Sequence, residues 1–176
     1  MSPAVSPAKI VATDVGYDGP NGIAAAVGFE TWADATPRWQ TSARCRVEAA
    51  YKPGSFFERE LPCILPLVER ACAEQGAGVV VVDGYVDLGS RPGLGRHLSD
   101  ALRSRGIEAV IVGVAKNPFE GAPAAELRRG GSERPLFVTA CGVDLPTATG
   151  WIRSMHGPHR MPTLLRLVDQ LARGIP

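Results

Sequence analysis

Three carboxylates and one lysine occupy positions where their chemistry is hard to ignore. Asp14 interrupts the apolar run that begins at Ile10, and Asp83 ends the run Val79-Val80-Val81-Val82 immediately before Gly84. A carboxylate in such company is costly unless it is hydrogen-bonded, paired or bound to a metal ion. Local sequence leaves two readings open for each: a strand-ending turn next to a glycine, or a functional acid. Glu60 is the third, on the flank of an apolar helical stripe with Phe56 and Ile64 four residues either side, while Arg59 and Arg70 are expected on the opposite face. Glu58 occupies the other flank. Lys116 follows the apolar run Ala109–Val114, at the same kind of strand end as Asp83. Hard oxygen donors suit Mg²⁺ or Mn²⁺, and such ions activate water and stabilise a leaving oxygen. A lysine beside them suits a phosphate. The set points to divalent-metal phosphoryl chemistry.

The elements that must position these groups can be read from periodicity. Residues 9–17, 22–32 and 38–47 read as strands separated by Gly/Pro/Asn/Asp clusters, an antiparallel meander. Phe57, Leu61, Ile64, Val68 and Cys72 recur at helical spacing over about 55–75, with Pro62 and Pro66 predicting a late start or a kink. Strands are expected at 79–82, 109–114 and 136–140, and helices at 93–105, 146–155 and 162–173. The order predicts an α/β fold: a mixed sheet of five or six strands, a three-strand meander followed by parallel βα units, flanked by helices. Ligand sites in such sheets lie beyond strand C-termini.

Composition narrows the partners. The 176 residues are 45% apolar, enough for a core, and 19 Lys+Arg against 18 Asp+Glu leave a net charge of +1. Any nucleic acid must therefore be held by local patches rather than by a polybasic arm. The four cysteines, Cys45, Cys63, Cys72 and Cys141, form no C-x-x-C pair and are expected as free core thiols. No stretch approaches the ~18 apolar residues that span a bilayer. The expectation is a flexible tail at 1–7, one domain over 8–176, a monomer, and a cytoplasmic location without membrane contact.

Several segments, in order, resemble the endonuclease V family. They are Ala12-Thr13-Asp14-Val15-Gly16-Tyr17, Tyr51-Lys52-Pro53-Gly54, Arg59-Glu60-Leu61-Pro62, Val80–Gly84, Pro92–Leu98, Val112–Lys116, Leu136–Ala140, and His159-Arg160-Met161-Pro162 with a trailing Asp169 and Arg173. The resemblance runs from Ile10 to Arg173. It implies a ribonuclease H-like fold and a Mg²⁺-dependent nuclease, with Mn²⁺ able to substitute, that recognises deoxyinosine in DNA or inosine in RNA and cuts on its 3′ side. Asp14, Glu60 and Asp83 would be the metal carboxylates and Lys116 the lysine near the scissile phosphate. Tyr51, Pro53 and Gly54 would form the wedge that fills the space left by an extruded base. Tyr85 and Gly113 would border the base pocket.

The chain also departs from the family pattern. The family carries a Gly-His after the strand equivalent to Leu136–Ala140, whereas this chain reads Cys141-Gly142-Val143-Asp144, making Asp144 a candidate substitute ligand. A His-Pro-Arg expected after Asp83-Gly84 is replaced by Tyr85–Pro92. These departures keep two alternatives open: a nucleic-acid-binding homologue with weakened catalysis, and a hydrolase of the same fold with another nucleotide substrate. Arg128, Arg129 and Arg134 form a small basic loop suited to a phosphate or to solvent, and His97 reads as a packing residue.

Overall fold

The computed structural model describes residues 9–47 and 57–175. The expected tail and the segment Tyr51-Lys52-Pro53-Gly54 lie outside these residues.

Strands β1 (Ile10–Asp18) and β2 (Asn21–Phe29) form a hairpin with Asp18 opposite Asn21. Gly19 opens its two-residue turn at φ +61°, a conformation that favours glycine. Strand β3 (Trp39–Arg46) pairs antiparallel with β2 and completes the expected meander. Helix α1 (Phe57–Gln75) follows, then β4 (Val79–Asp83), the two-residue strands β5 (Asp87–Leu88) and β6 (Arg91–Pro92), and α2 (Leu94–Arg103). Strand β7 (Val110–Ala115) leads to β8 (Ala125–Leu127) and β9 (Leu136–Cys141), and helices α3 (Leu145–Ser154) and α4 (Thr163–Ala172) end the described chain.

The main sheet has seven strands in the order β3-β2-β1-β4-β7-β9-β8, with β5 and β6 forming a separate ribbon. Parallel pairing is confined to β1–β4 and β4–β7; β9 runs antiparallel to both β7 and β8. The expected count of five or six is thus exceeded by β8, whose three residues are too few to display an alternation.

Each central strand sends alternate residues to two cores. Ala12, Val81, Val112 and Val114 face Ile152, Leu164 and Val168 of α3 and α4. Val11, Val80, Val82 and Ile111 face Ile64 and Val68 of α1 and Leu98 and Leu102 of α2. The sheet is buried on both sides, as its near-continuous valine runs require.

One expectation is narrowed and one is corrected. Helix α1 runs through Pro62 and Pro66 from Phe57 onward. Both prolines lie on its exposed face, where the carbonyls deprived of an N–H partner can be solvated. Cys45 and Cys63 are not free thiols but form a disulfide between β3 and α1, Cα–Cα 5.6 Å, because the packing of α1 brings together residues 18 apart in sequence. Cys72 and Cys141 are free. His97 packs as expected, stacked on Phe57 with centroids 3.7 Å apart.

Gly16 sets how closely α4 lies on β1. A Cβ there would fall 2.0 Å from the carbonyl oxygen of Ala172. Gly16→Ala should therefore push the end of α4 outward and lower stability by about 1–3 kcal/mol. Urea denaturation of the variant against the parent checks this; an unchanged midpoint would mean that the helix shifts at no cost.

Candidate functional site

Strand register brings the first groups together. Thr13 of β1 pairs with Val82 of β4, and Asp83 with Val114 of β7. Asp14 and Asp83 therefore follow on neighbouring strands at one level, and Lys116 lies two residues past Val114. Alternation puts all three on one face: Ala12, Val81 and Val114 belong to the core under α4, so Asp14, Asp83 and Lys116 project to that side. Here α4 contributes Asp169. Its carboxylate lies 3.8 Å from the Lys116 ammonium and 3.2 Å from the Arg173 guanidinium. Asp14, Asp83, Lys116 and Asp169 line one narrow cleft of about 30 Å³.

Glu60 arrives from the opposite layer, in the first turn of α1. It is half-buried while Glu58 is exposed, as the helical flank predicts. Arg59 does not point away to solvent: its guanidinium lies 4.4 Å above the ring of Tyr17, a cation–π contact. Tyr17 and Glu60 are near enough for each to alter the other's proton affinity.

Burial and mutual repulsion shape the proton affinity of these acids. Burial is the largest cause raising Asp14, followed by the charge of Asp83; the Val15 amide, donating to Asp14 Oδ1 at 2.8 Å, opposes them. Glu60 is pushed up to about 8, first by burial and then by Asp83 and Asp14, against the pull of the Tyr17 hydroxyl and Arg59. Asp83 projects into the cleft, where solvent still reaches its surface but the surrounding walls displace most bulk water. Its carboxyl is raised by that desolvation and by Asp169, while Lys116 pulls it down. Among the described residues, no three His, Cys, Asp or Glu side chains form a ready-made cage around one point.

A second cavity of about 300 Å³ adjoins the cleft and shares Asp83 and Lys116 with it. Phe57, Glu60, Tyr85, Leu94 and Phe119 also line it. Tyr85 is fixed there: its hydroxyl donates to the Asn117 carbonyl at 2.9 Å and accepts from the Phe119 amide at 3.1 Å. Gly113 is not a lining residue. It is buried beneath the Gly84–Val86 turn, where a Cβ would fall 2.4 Å from the Gly84 carbonyl oxygen. Its role is to let that backbone cross β7 closely.

Asp144 lies elsewhere. It caps α3, accepting from the Thr147 amide at 2.9 Å and from the Thr147 hydroxyl, and these bonds hold its exposed carboxyl below the usual range. The carboxylate that does reach the cleft beside Asp14 and Asp83 is Asp169. Its signal was present in the sequence: it stands four residues after Leu165 and next to Val168, both buried, so an acid borders the apolar stripe of α4. Arg129 is likewise turned inward, toward backbone carbonyls rather than toward solvent.

This geometry meets close parallels among known proteins. Endonuclease V from Ciona intestinalis, in complex with a 24mer DNA containing an inosine followed by a ribo-adenosine, matches with a TM-score of 0.76 at 16% identity. That match covers 94% of this chain and 84% of the other. Human endonuclease V matches at 0.75 and 22% identity, over 96% and 84% of the two chains. The Bacillus subtilis enzyme matches at 0.68 and 19% identity, over 94% and 78%. These likenesses establish the ribonuclease H-like fold. No match is found among curated protein sequences. The family model for endonuclease V, however, aligns with residues 2–142, most of the sequence. The chain belongs to the endonuclease V family.

Proposed function

We propose that this protein is a divalent-metal-dependent endonuclease that cuts nucleic acid on the 3′ side of deoxyinosine or inosine. The observation that carries the reading is the gathering of Asp14, Asp83 and Asp169 with Lys116 around a cleft, with Glu60 on the wall of the adjoining base-sized cavity. The Ciona relative, crystallised with inosine-containing DNA, supports the choice of substrate.

The donor set fits a hard cation. All four acids offer oxygen, and burial together with repulsion raises the proton affinity of Asp14, Glu60 and Asp83, which a divalent ion would relieve. Asp14, Glu60, Asp83 and Asp169 would hold Mg²⁺, with Mn²⁺ as a substitute. Bound there, the ion would supply Lewis acidity toward the phosphate and acidify the attacking water. Lys116 places a positive charge where the scissile phosphate would develop negative charge. In the adjoining cavity, Tyr85, Phe57 and Phe119 offer apolar and aromatic surface to one extruded base, offsetting part of the stacking that it leaves behind. Tyr51, Pro53 and Gly54 complete the proposal as the wedge that keeps the duplex open.

A direct test incubates the protein with Mg²⁺ or Mn²⁺ and an oligonucleotide carrying one deoxyinosine or inosine. Nicking 3′ to the lesion is expected, abolished by Asp83→Asn and slowed about 100- to 1,000-fold by Lys116→Met. Failure to cut any DNA or RNA with either metal would remove the reading.

The raised carboxyls give a second test that needs no substrate. Glu60 titrates near 8 in the fold against an ordinary 4.5, so between these values the folded state holds protons that the unfolded chain has released. Stability of the metal-free protein is therefore expected to fall as pH rises through this window. Melting temperatures recorded from about pH 5 to 9 should decline, and Mn²⁺ should restore them most at the alkaline end. A flat profile, indifferent to Mn²⁺, would contradict the assignment of these acids as metal ligands.

A further inference from the structure

The segment between α3 and α4 does more than connect two helices. Arg160, within it, donates from Nη2 to the carbonyl oxygens of Lys116 at 2.5 Å and Pro135 at 2.6 Å, and from Nε to that of Arg134 at 2.9 Å. No carboxylate pairs with Arg160 among the described residues, so its guanidinium is committed to three backbone acceptors at the ends of β7 and β9. Charge-assisted bonds of this kind are stronger than neutral ones, and the planar fork fixes their directions.

The segment that carries Arg160 is itself held. Arg129 donates to the carbonyls of Met155 at 2.7 Å, Gly157 at 3.2 Å and His159 at 2.7 Å. Gly130, at φ +65°, leaves room for it, because a Cβ there would lie 2.3 Å from the carbonyl carbon of His159. Three residues beyond Arg160, α4 begins and carries Asp169 to the cleft, where it meets the Lys116 ammonium. Lys116 is thus gripped at both ends by one stretch of chain: its carbonyl by Arg160, its ammonium by Asp169.

We propose that Arg160 is a positioning residue, which sets the end of β7 against α4 so that the Lys116 ammonium and the Asp169 carboxylate meet at the cleft. Its consequence for catalysis rests on the nuclease reading; its consequence for Lys116 does not. Without Arg160, the backbone after β7 loses a charged donor and the loop before α4 loses its anchor. The lysine then samples orientations that leave the cleft.

The chain contains three lysines, Lys9, Lys52 and Lys116, which makes the lysine directly observable. The full-length protein and its Arg160→Gln and Arg160→Lys variants are treated briefly with acetic anhydride at one pH, and modification is mapped by mass spectrometry. Arg160→Gln is expected to raise acetylation of Lys116 relative to Lys9 by about threefold, as an ion pair of modest strength is released. Arg160→Lys, which keeps a donor but not the fork, should fall between. Cleavage of the inosine oligonucleotide under single-turnover conditions should slow about 100-fold, the scale of a small misplacement, with affinity for the strand unchanged. Unaltered Lys116 labelling in a folded variant would overturn the proposal, as would an equal rise at Lys9, which signals general loosening. Weaker binding with a shallower salt dependence would overturn it too, by showing that Arg160 holds a phosphate. If Arg160→Gln does not fold, Arg160→Lys decides the labelling arm alone. A parent protein that cuts nothing would remove the nuclease reading and leave the labelling result to stand.

Discussion

Like charges forced together at the ends of buried strands are the constraint around which this molecule is arranged. Asp14, Glu60, Asp83 and Asp169 face one region, and the cations available to them are few. Lys116 and Arg173 both pair with Asp169, at 3.8 and 3.2 Å, and both cations are well exposed. Such pairs are worth about 0–1 kcal/mol each, too little to balance the repulsion and desolvation that raise Asp14, Glu60 and Asp83. The carboxylates are held together by packing in the two cores, not by their own contacts. A site that costs stability and is offset elsewhere in the fold is the usual sign of function rather than of architecture.

Sheet geometry decides which side chains take part. Parallel register between β1 and β4 places Asp14 and Asp83 at one level, and the twofold alternation of the strands turns both toward α4. Two helices cover that face: α4 carries Asp169 to the cleft, whereas Asp144 is committed to capping the start of α3 and is not among the residues that line it. Glu60 breaks the pattern: it comes from α1, across the sheet, and reaches the acids only because it stands in that helix's first turn, beyond the strand ends. Gly113 completes the arrangement from below, allowing the turn after Asp83 to lie flat on β7.

Much of this was legible in the sequence, and the exceptions have physical causes. The meander, the buried valine strands and the helices between them follow from period and turn residues, which act locally. Asp14, Asp83 and Lys116 were recognisable because a charge in an apolar run is conspicuous. Asp169 was visible only as an acid bordering an apolar helical stripe, since a helix shows that it has an apolar face, never which sheet face it will cover. The edge strand β8 escaped notice because three residues carry no periodicity. The Cys45–Cys63 bridge depends on how α1 settles on β3, a long-range fact without a local signature. Gly113 was expected to border the base pocket; it lies instead beneath the chain's own Gly84–Val86 turn, a close approach between segments far apart in sequence.

Cleft and cavity share Asp83 and Lys116, and that overlap bears on how recognition and cleavage would be linked. A side chain cannot move in one compartment without altering the wall of the other. Tyr85 strengthens the link: its hydroxyl holds the backbone at Asn117 and Phe119, directly after Lys116, while its ring borders the cavity. Arg160 grips the preceding carbonyl, that of Lys116 itself. Consecutive carbonyls at the end of β7 are therefore held from two directions, one by the residue that walls the cavity and one by the segment that delivers Asp169. On the proposed reading, a base that seats poorly against Tyr85 would disturb the same stretch of backbone that presents the lysine, so that discrimination among bases would appear in the rate of cleavage as well as in affinity.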